Sequence, residues 1–238
     1  MKFSFVAAVA MAGVLSLAGA GTASASALSH PKHHGKPKHV TQVTGKQLAK
    51  GLLPGSAFGI GVTTSGEADT GNHLLPAQAL ASVSSEACAD LLAFVPVFGQ
   101  TAVAEDGVNS SLGGFQAISQ FKTSGAAWSF YGQVEAKYNS CVSYSASEKG
   151  DQSTGPVTLS IDLNSVSNTR VGSSYGFKVS QVAEVSDSLG DVTLYLDTLV
   201  VANGTNVYMI WEFNTVDTPV PGSLLASMIK RTQALYKG

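Results

Sequence analysis

The stretch that decides the fold is residues 192–214, VTLYLDTLVVANGTNVYMIWEFN. Apolar and polar side chains alternate on both sides of Asn203-Gly204, and a period of two is typical of β-strands. Asn-Gly between two such runs is a strong signal for a tight hairpin turn. The sequence therefore predicts strands at 192–201 and 206–214, joined at Asn203-Gly204.

The predicted turn also predicts a register. A two-residue turn at Asn203-Gly204 pairs Ala202 with Thr205, and it pairs Leu196 with Trp211. One face of the hairpin is then almost wholly apolar, and we expect helices to cover it. The opposite face is mixed and consists of Thr193, Tyr195, Asp197, Leu199, Val201, Tyr208, Ile210, Glu212 and Asn214.

The polar members of this mixed face form a candidate ligand site. They are Tyr195, Asp197, Tyr208, Glu212 and Asn214. Aromatic rings beside carboxylates suit a hydroxylated or cationic ligand. The alternative interpretation is the ordinary solvated side of an antiparallel sheet.

The elements around the hairpin alternate between helical and strand patterns. Further strands are predicted at 57–64, 114–121, 157–163 and 177–185. Helices are predicted from the Thr44–Gln47 capping box through Leu53, from Ser84 or Ser85 through Phe94, from Thr123-Ser124 to about Asn139, and from Pro221 onward. This order predicts an α+β fold, an antiparallel sheet with helices packed on one face and a cleft or polar face on the other.

The first 27 residues have the pattern of a secretory signal peptide. Lys2 precedes an apolar run from Phe5 to Ala20, and Ala25-Ser26-Ala27 is the preferred cleavage site. We expect 1–27 to be this signal, 28–40 to be a basic linker rich in His, Lys and Pro, and 41–238 to be a single domain. The expected location is outside the cell or at the cell wall, with no membrane span in the mature chain.

Charge is divided unevenly along the chain. Residues 28–50 contain five Lys and no acidic residue, whereas 51–238 contain eight Lys or Arg and sixteen Asp or Glu. The basic tail is interpreted either as a solvated spacer or as a tether to anionic envelope polymers or lipids. His30, His33 and His34 also make it a candidate metal site. The formal net charge of −2 gives no general reason to expect a nucleic-acid partner.

Cys88 and Cys141 are the two cysteines of the chain. The expected exterior is oxidising, so a disulfide between them is the simpler interpretation. A reactive thiol or a metal-binding pair is the alternative, and the wide spacing argues against it.

Catalytic signatures do not emerge from the sequence. A hydrolytic triad needs a His near its nucleophile, and His73 is the one histidine outside the basic tail. No G-x-S-x-G, H-E-x-x-H or P-loop pattern occurs, so we predict a non-enzyme with no catalytic residues and no cofactor. Asp197 and Glu212 leave a glycosidase-type hydrolase as the less favoured alternative.

Several segments resemble the PknH-like extracellular sensor domain family of actinobacterial secreted proteins. These segments are Gly51-Leu52-Leu53-Pro54, the helix with Cys88, Phe121-Lys122-Thr123-Ser124-Gly125-Ala126-Ala127, Tyr138-Asn139-Ser140-Cys141, and the late strands with the last helix. The resemblance covers about residues 41–238. It implies an α+β fold with a large cleft, and sensing of an unidentified ligand outside the cell.

The resemblance also has departures. The kinase sensor is similar but has a second disulfide, and this sequence has neither a kinase motif nor the lipobox Cys of many secreted relatives. We therefore expect a secreted, non-catalytic ligand-binding or sensor-like domain. Its partner would be a small molecule, an envelope polymer or another envelope protein. A structural or adhesive cell-wall protein held by its basic tail is the alternative.

Overall fold

The computed structural model describes residues 42–58, 63–67, 82–83, 100–107, 112–148, 157–187 and 190–236. Within those residues, nine strands form one antiparallel sheet in the order β1-β3-β4-β9-β8-β7-β6-β5-β2. The strands are β1 (Thr63–Glu67), β2 (Ser82–Val83), β3 (Gln100–Gly107), β4 (Leu112–Gln120), β5 (Ser143–Glu148), β6 (Val157–Val171), β7 (Ser174–Asp187), β8 (Gly190–Asn203) and β9 (Asn206–Asn214). The α-helices are α1 (Gly45–Leu48), α2 (Ser124–Ser140) and α3 (Gly222–Leu235). The predicted α+β class is confirmed.

The β8–β9 hairpin forms where it was predicted, but its register differs by two residues. Asn203 pairs with Asn206, so the turn consists of Gly204-Thr205 rather than Asn203-Gly204. Gly204 has a φ of 61°, and glycine at the first central position is what a type II′ turn requires. Asn203 stays in the strand, where its amide donates to Ser174 Oγ on β7 at 2.5 Å. A shift of two residues leaves every side chain on its predicted face.

Helix α2 covers one face of the sheet. Thr123 caps its first turn by accepting a hydrogen bond from the Ala126 N–H at 3.1 Å, which confirms the predicted start. Tyr131 is buried against the sheet, and its ring packs edge-on against Phe177 with ring centroids 5.3 Å apart. We call this side of the sheet the α2 face; its core residues are Phe177, Val179, Val200, Ala202 and Val207.

Helices α1 and α3 cover part of the opposite face, which we call the α3 face. Its buried residues Val171, Leu199, Val201, Tyr208 and Ile210 pack with Leu48, Leu225 and Met228. The expectation that helices pack on one face alone was therefore wrong. The physical reason is that the mixed face of the hairpin also carries apolar side chains. Packing helices on them removes this apolar surface from water, as it does on the α2 face.

The N-terminal segment is fixed to the sheet by two buried glutamines of β4. Gln116 donates to Leu53 O at 2.8 Å and accepts from the Leu53 N–H at 2.6 Å. Gln120 Oε1 accepts from the Val43 N–H at 3.0 Å. The capping box of Thr44 and Gln47 is confirmed, although α1 ends at Leu48 and passes into a 3₁₀ turn at Ala49–Gly51.

Other predicted elements differ in extent or lie outside the described residues. Strand β6 extends to Val171, well beyond the predicted 163, and β3 and β5 were not predicted. The strand or extended segment predicted at 57–64 is described only at its two ends, where Ala57 closes a 3₁₀ turn and Thr63 and Thr64 belong to β1. The predicted helix at 84–94, the signal peptide at 1–27 and the tail at 28–40 lie outside the described residues. Among the helices of the described part, none is long and apolar enough to cross a membrane.

Candidate functional site

The half of the α3 face that α1 and α3 do not cover is the candidate site, and we call it the polar platform. It lies beyond α1 and α3, at the end of β7, β8 and β9 remote from the 203–206 turn. Its residues are Ser160, Asp162, Lys178, Ser180, Glu184, Asp191, Thr193, Tyr195, Asp197, Glu212 and Asn214.

Cross-strand pairing places these side chains in rows. The first row crosses the sheet from Glu212 to Asp197 to Ser180. In the next row, Asn214 lies beside Tyr195. Val182 follows on the other side of Tyr195, and Asp162 follows Val182. Adjacent rows are about 7 Å apart and adjacent strands about 5 Å apart, so the rows are within reach of one small ligand.

Asp197 is the most deeply placed carboxylate of the platform, with 7% of its surface exposed. Its Oδ1 accepts a hydrogen bond from Ser180 Oγ at 2.6 Å and lies 3.3 Å from Lys178 Nζ. A buried carboxylate needs such partners to offset the loss of hydration. The two β7 side chains therefore hold Asp197 in place beside Glu212.

Tyr195 and Asn214 form the second cross-strand pair of the platform. Both are half-buried, so neither residue is fully withdrawn from solvent. Asn214 Oδ1 accepts from the Val216 N–H at 3.2 Å, which fixes the amide where β9 ends. A fixed amide next to an aromatic ring can orient a ligand that carries hydroxyl or amino groups.

Tyr208 does not belong to the site, and its prediction as a ligand-binding residue was wrong. It is 0% exposed in the core beneath α3, and Asn206 Nδ2 donates to its hydroxyl at 3.3 Å. Burial raises the pKa of Tyr208 well above its usual range. Alternation along β9 predicted the correct face for Tyr208. It did not predict that α3 covers that half of the face.

The platform also contains residues that the sequence analysis did not assign to a site. They are Lys178, Ser180, Glu184 and Asp191. The signal that could have found them is the antiparallel pairing of β7 with β8, which requires the register of one further hairpin.

The charge of the platform is strongly negative. Within the described residues it carries five carboxylates, on Asp162, Glu184, Asp191, Asp197 and Glu212, and one cation, Lys178. Asp162, Glu184 and Asp191 are exposed to solvent. The arrangement favours a cationic or hydroxyl-rich ligand over an anionic one.

Of the residues in the predicted metal and cysteine sites, the structure describes only Cys141. His30, His33, His34 and Cys88 lie outside the described residues, and the described part holds no group of three or more metal-ligating side chains. Cys141 follows α2, is 1% exposed and is not a free thiol. Its pairing with Cys88 stays a prediction.

Comparison with known proteins supports the fold. No family model matches this chain, and no curated protein matches it in sequence. A solved structure with a similar fold is the extracellular domain of PknH from Mycobacterium tuberculosis, at 12% identity and a TM-score of 0.50. The alignment covers 84% of this chain and 100% of that domain. The predicted resemblance is thus confirmed for the fold.

Proposed function

We propose that this protein is a non-catalytic, extracellular ligand-binding domain of the sensor type, and that the polar platform binds its ligand. One observation carries the proposal. The α3 face is apolar and covered by helices at one end, and at the other end it presents Tyr195, Asn214, Asp197 and Glu212 as two adjacent cross-strand pairs.

The chemistry of the platform suggests the class of ligand. The ring of Tyr195 can stack on a sugar ring or contact a cation, and the neighbouring carboxylates can accept hydrogen bonds from hydroxyl or ammonium groups. An amino sugar or another small polyhydroxylated cation satisfies both requirements.

The proposed location rests on two independent supports. Residues 1–27 have the composition of a secretory signal peptide. The neighbour in fold is the extracellular part of its own protein. In this proposal a partner in the envelope transmits the bound state.

The proposal can be tested by calorimetric titration with glucosamine, glucose and spermidine. We expect binding of the cationic or polyhydroxylated probes, weakened about tenfold or more by Tyr195→Ala and by Glu212→Gln, since each removes a direct contact. Tyr175→Ala and Glu135→Gln are the matched controls, because both residues belong to the α2 side of the sheet. Binding that the platform variants leave unchanged would place the site elsewhere.

The structural or adhesive alternative depends on the basic tail rather than on the sheet. In that case deletion of residues 28–40 would abolish binding to isolated cell wall, and Tyr195→Ala would have no effect on it. The opposite pattern is expected if the platform is the binding surface.

Asp197 and Glu212 keep a hydrolase as the second candidate function. Directly opposed residues of an antiparallel pair have Cβ atoms about 5 Å apart, compatible with the spacing of two catalytic carboxylates in a retaining glycosidase. The hydrogen bond from Ser180 and the ion pair with Lys178 favour a structural role for Asp197 instead. Turnover of chromogenic glycosides that is abolished by Asp197→Asn would establish the hydrolase.

A further inference from the structure

We propose that the basic tail, residues 28–40, docks on the polar platform of its own chain and competes with external ligands for it. The inference rests on the proposed function only in treating the platform as a binding surface. It adds a built-in regulator to that surface.

The chain enters the domain on the same side as the platform. The first described residues are held on the α3 face, where Gln120 accepts from the Val43 N–H and Leu48 belongs to the core with Val201 and Ile210. The tail therefore begins on the face that carries the platform, and it can reach the platform without passing around an edge of the sheet.

The length of the tail is sufficient for this contact. Asn203 and Gln120 both lie at the turn end of the sheet, and Asp197 is six residues from Asn203 along β8, about 20 Å away. Lys36 and Lys32 precede residue 42 by six and ten residues, so an extended chain carries them up to roughly 20 Å and 33 Å. Gln120 is also two strands from β8, about 10 Å across the sheet, so Lys32 is the tail lysine whose backbone reach covers the rows of carboxylates.

The charges of the two partners are complementary. The tail carries Lys32, Lys36 and Lys38 with no acidic residue. The platform presents five carboxylates against one lysine in the described residues, and Asp162 and Glu184 are exposed. Tethering adds to this attraction, because a short linker holds the tail at an effective concentration of about a millimolar or more.

Zero-length carbodiimide cross-linking of the full mature chain tests the contact directly. At low salt we expect amide bonds between tail lysines and Asp162, Glu184, Asp197 or Glu212, located by peptide mass spectrometry. Glu135 on α2 is the matched control, since α2 lies on the opposite side of the sheet. A mixture of ¹⁴N and ¹⁵N protein separates links within a chain from links between chains. Links spread equally to Glu135, or no links to the platform, would overturn the proposal.

A second measurement separates docking on the platform from binding to an anionic membrane. Vesicles of equal parts phosphatidylglycerol and phosphatidylcholine compete for the tail. If the tail docks on the platform, the double variant Asp162→Asn and Glu184→Gln should bind these vesicles about threefold more tightly than the unmodified chain. Glu135→Gln is the single-charge control. Equal vesicle binding by the double variant and the unmodified chain would contradict the docked tail.

Neither test needs the external ligand. Platform cross-links without binding of any small-molecule probe would support the docked tail and leave the proposed function unsupported. Probe binding without platform cross-links would support the proposed function and refute the docked tail.

Discussion

Asp197 lies directly opposite Glu212 across β8 and β9, and Lys178 Nζ is 3.3 Å from the Asp197 carboxylate. Two carboxylates at such close range repel each other, and the lysine offsets that repulsion. The stability of the platform is therefore coupled to a cation on the neighbouring strand β7.

Replacing that cation should destabilise the fold. We expect Lys178→Met to lower the free energy of unfolding by about 1–2 kcal/mol, because Asp197 would lose its charged partner in a largely buried position. The measurement is urea denaturation, with Lys230→Met on the exposed side of α3 as the control. Adding Asp197→Asn should restore part of the loss. An additive double variant would show that the pair is not coupled.

Substitution of Gln116 should be among the most destabilising changes at any polar residue of the chain. Gln116→Leu leaves both the N–H and the C=O of Leu53 without their side-chain partner in the core, at a cost of about 2–4 kcal/mol. Gln133→Leu is the matched control, since Gln133 is exposed on α2 and donates only to Ser129, at 3.3 Å. Equal midpoints of chemical denaturation for the two variants would contradict this role of Gln116.

Two glycine substitutions should have effects of opposite sign. Gly204→Ala should destabilise the protein by about 1–2 kcal/mol, because φ is 61° in the hairpin turn. Gly132→Ala in α2 should stabilise it by about 0.5–1 kcal/mol, because alanine favours the helix and a Cβ there meets nothing within 4 Å. Thermal unfolding of both variants checks the prediction, and two shifts of the same sign would refute it.

Alkaline pH should unfold the protein through its buried tyrosines. Burial raises the pKa of Tyr131, Tyr138, Tyr144, Tyr208 and Tyr236 above the ordinary value of 10.0. The unfolded chain then loses these protons first, so stability is full below about pH 10 and falls as the pH rises toward the folded-state pKa values. Tyrosinate absorbance from these residues should appear together with the loss of circular dichroism. Their titration in an intact fold near pH 10 would be contrary to this expectation.

The predicted disulfide has a direct chemical test. Denatured protein without reductant should take up no alkylating reagent, and reduced protein should take up two equivalents, one each on Cys88 and Cys141. Replacing both cysteines by serine should lower the free energy of unfolding by roughly 2–4 kcal/mol. Alkylation of either cysteine before reduction would disprove the pairing.

The sequence predicted which side chains share a face of the sheet better than it predicted which helices cover that face. Asp197 and Glu212 were correctly assigned to one face because the error in register was two residues, and an even shift leaves every side chain on its face. Alternation carries no information on which part of a face a distant helix covers, so Tyr208 was placed in the site although α3 buries it. The sequence did contain a signal that a helix covers this part of the face, namely its apolar residues Leu199, Val201 and Ile210.

Polar strands were the hardest elements to predict. Strand β5 and the second half of β6 are rich in Ser, Asn and Thr, which local propensity does not distinguish from loops. They form strands because each has a long neighbour to pair with, and pairing is a tertiary effect. Ser180 and Lys178 join the site through the pairing of β7 with β8, which is likewise a tertiary effect that the sequence alone did not specify.

The most direct test of the proposed function is native mass spectrometry of the protein secreted by its own host, beside the Tyr195→Ala variant and the Tyr175→Ala control. We predict an additional mass of a small molecule on the unmodified protein and on Tyr175→Ala, lost or strongly reduced on Tyr195→Ala. A bound mass retained equally by all three proteins would contradict the assignment of the polar platform as the ligand site.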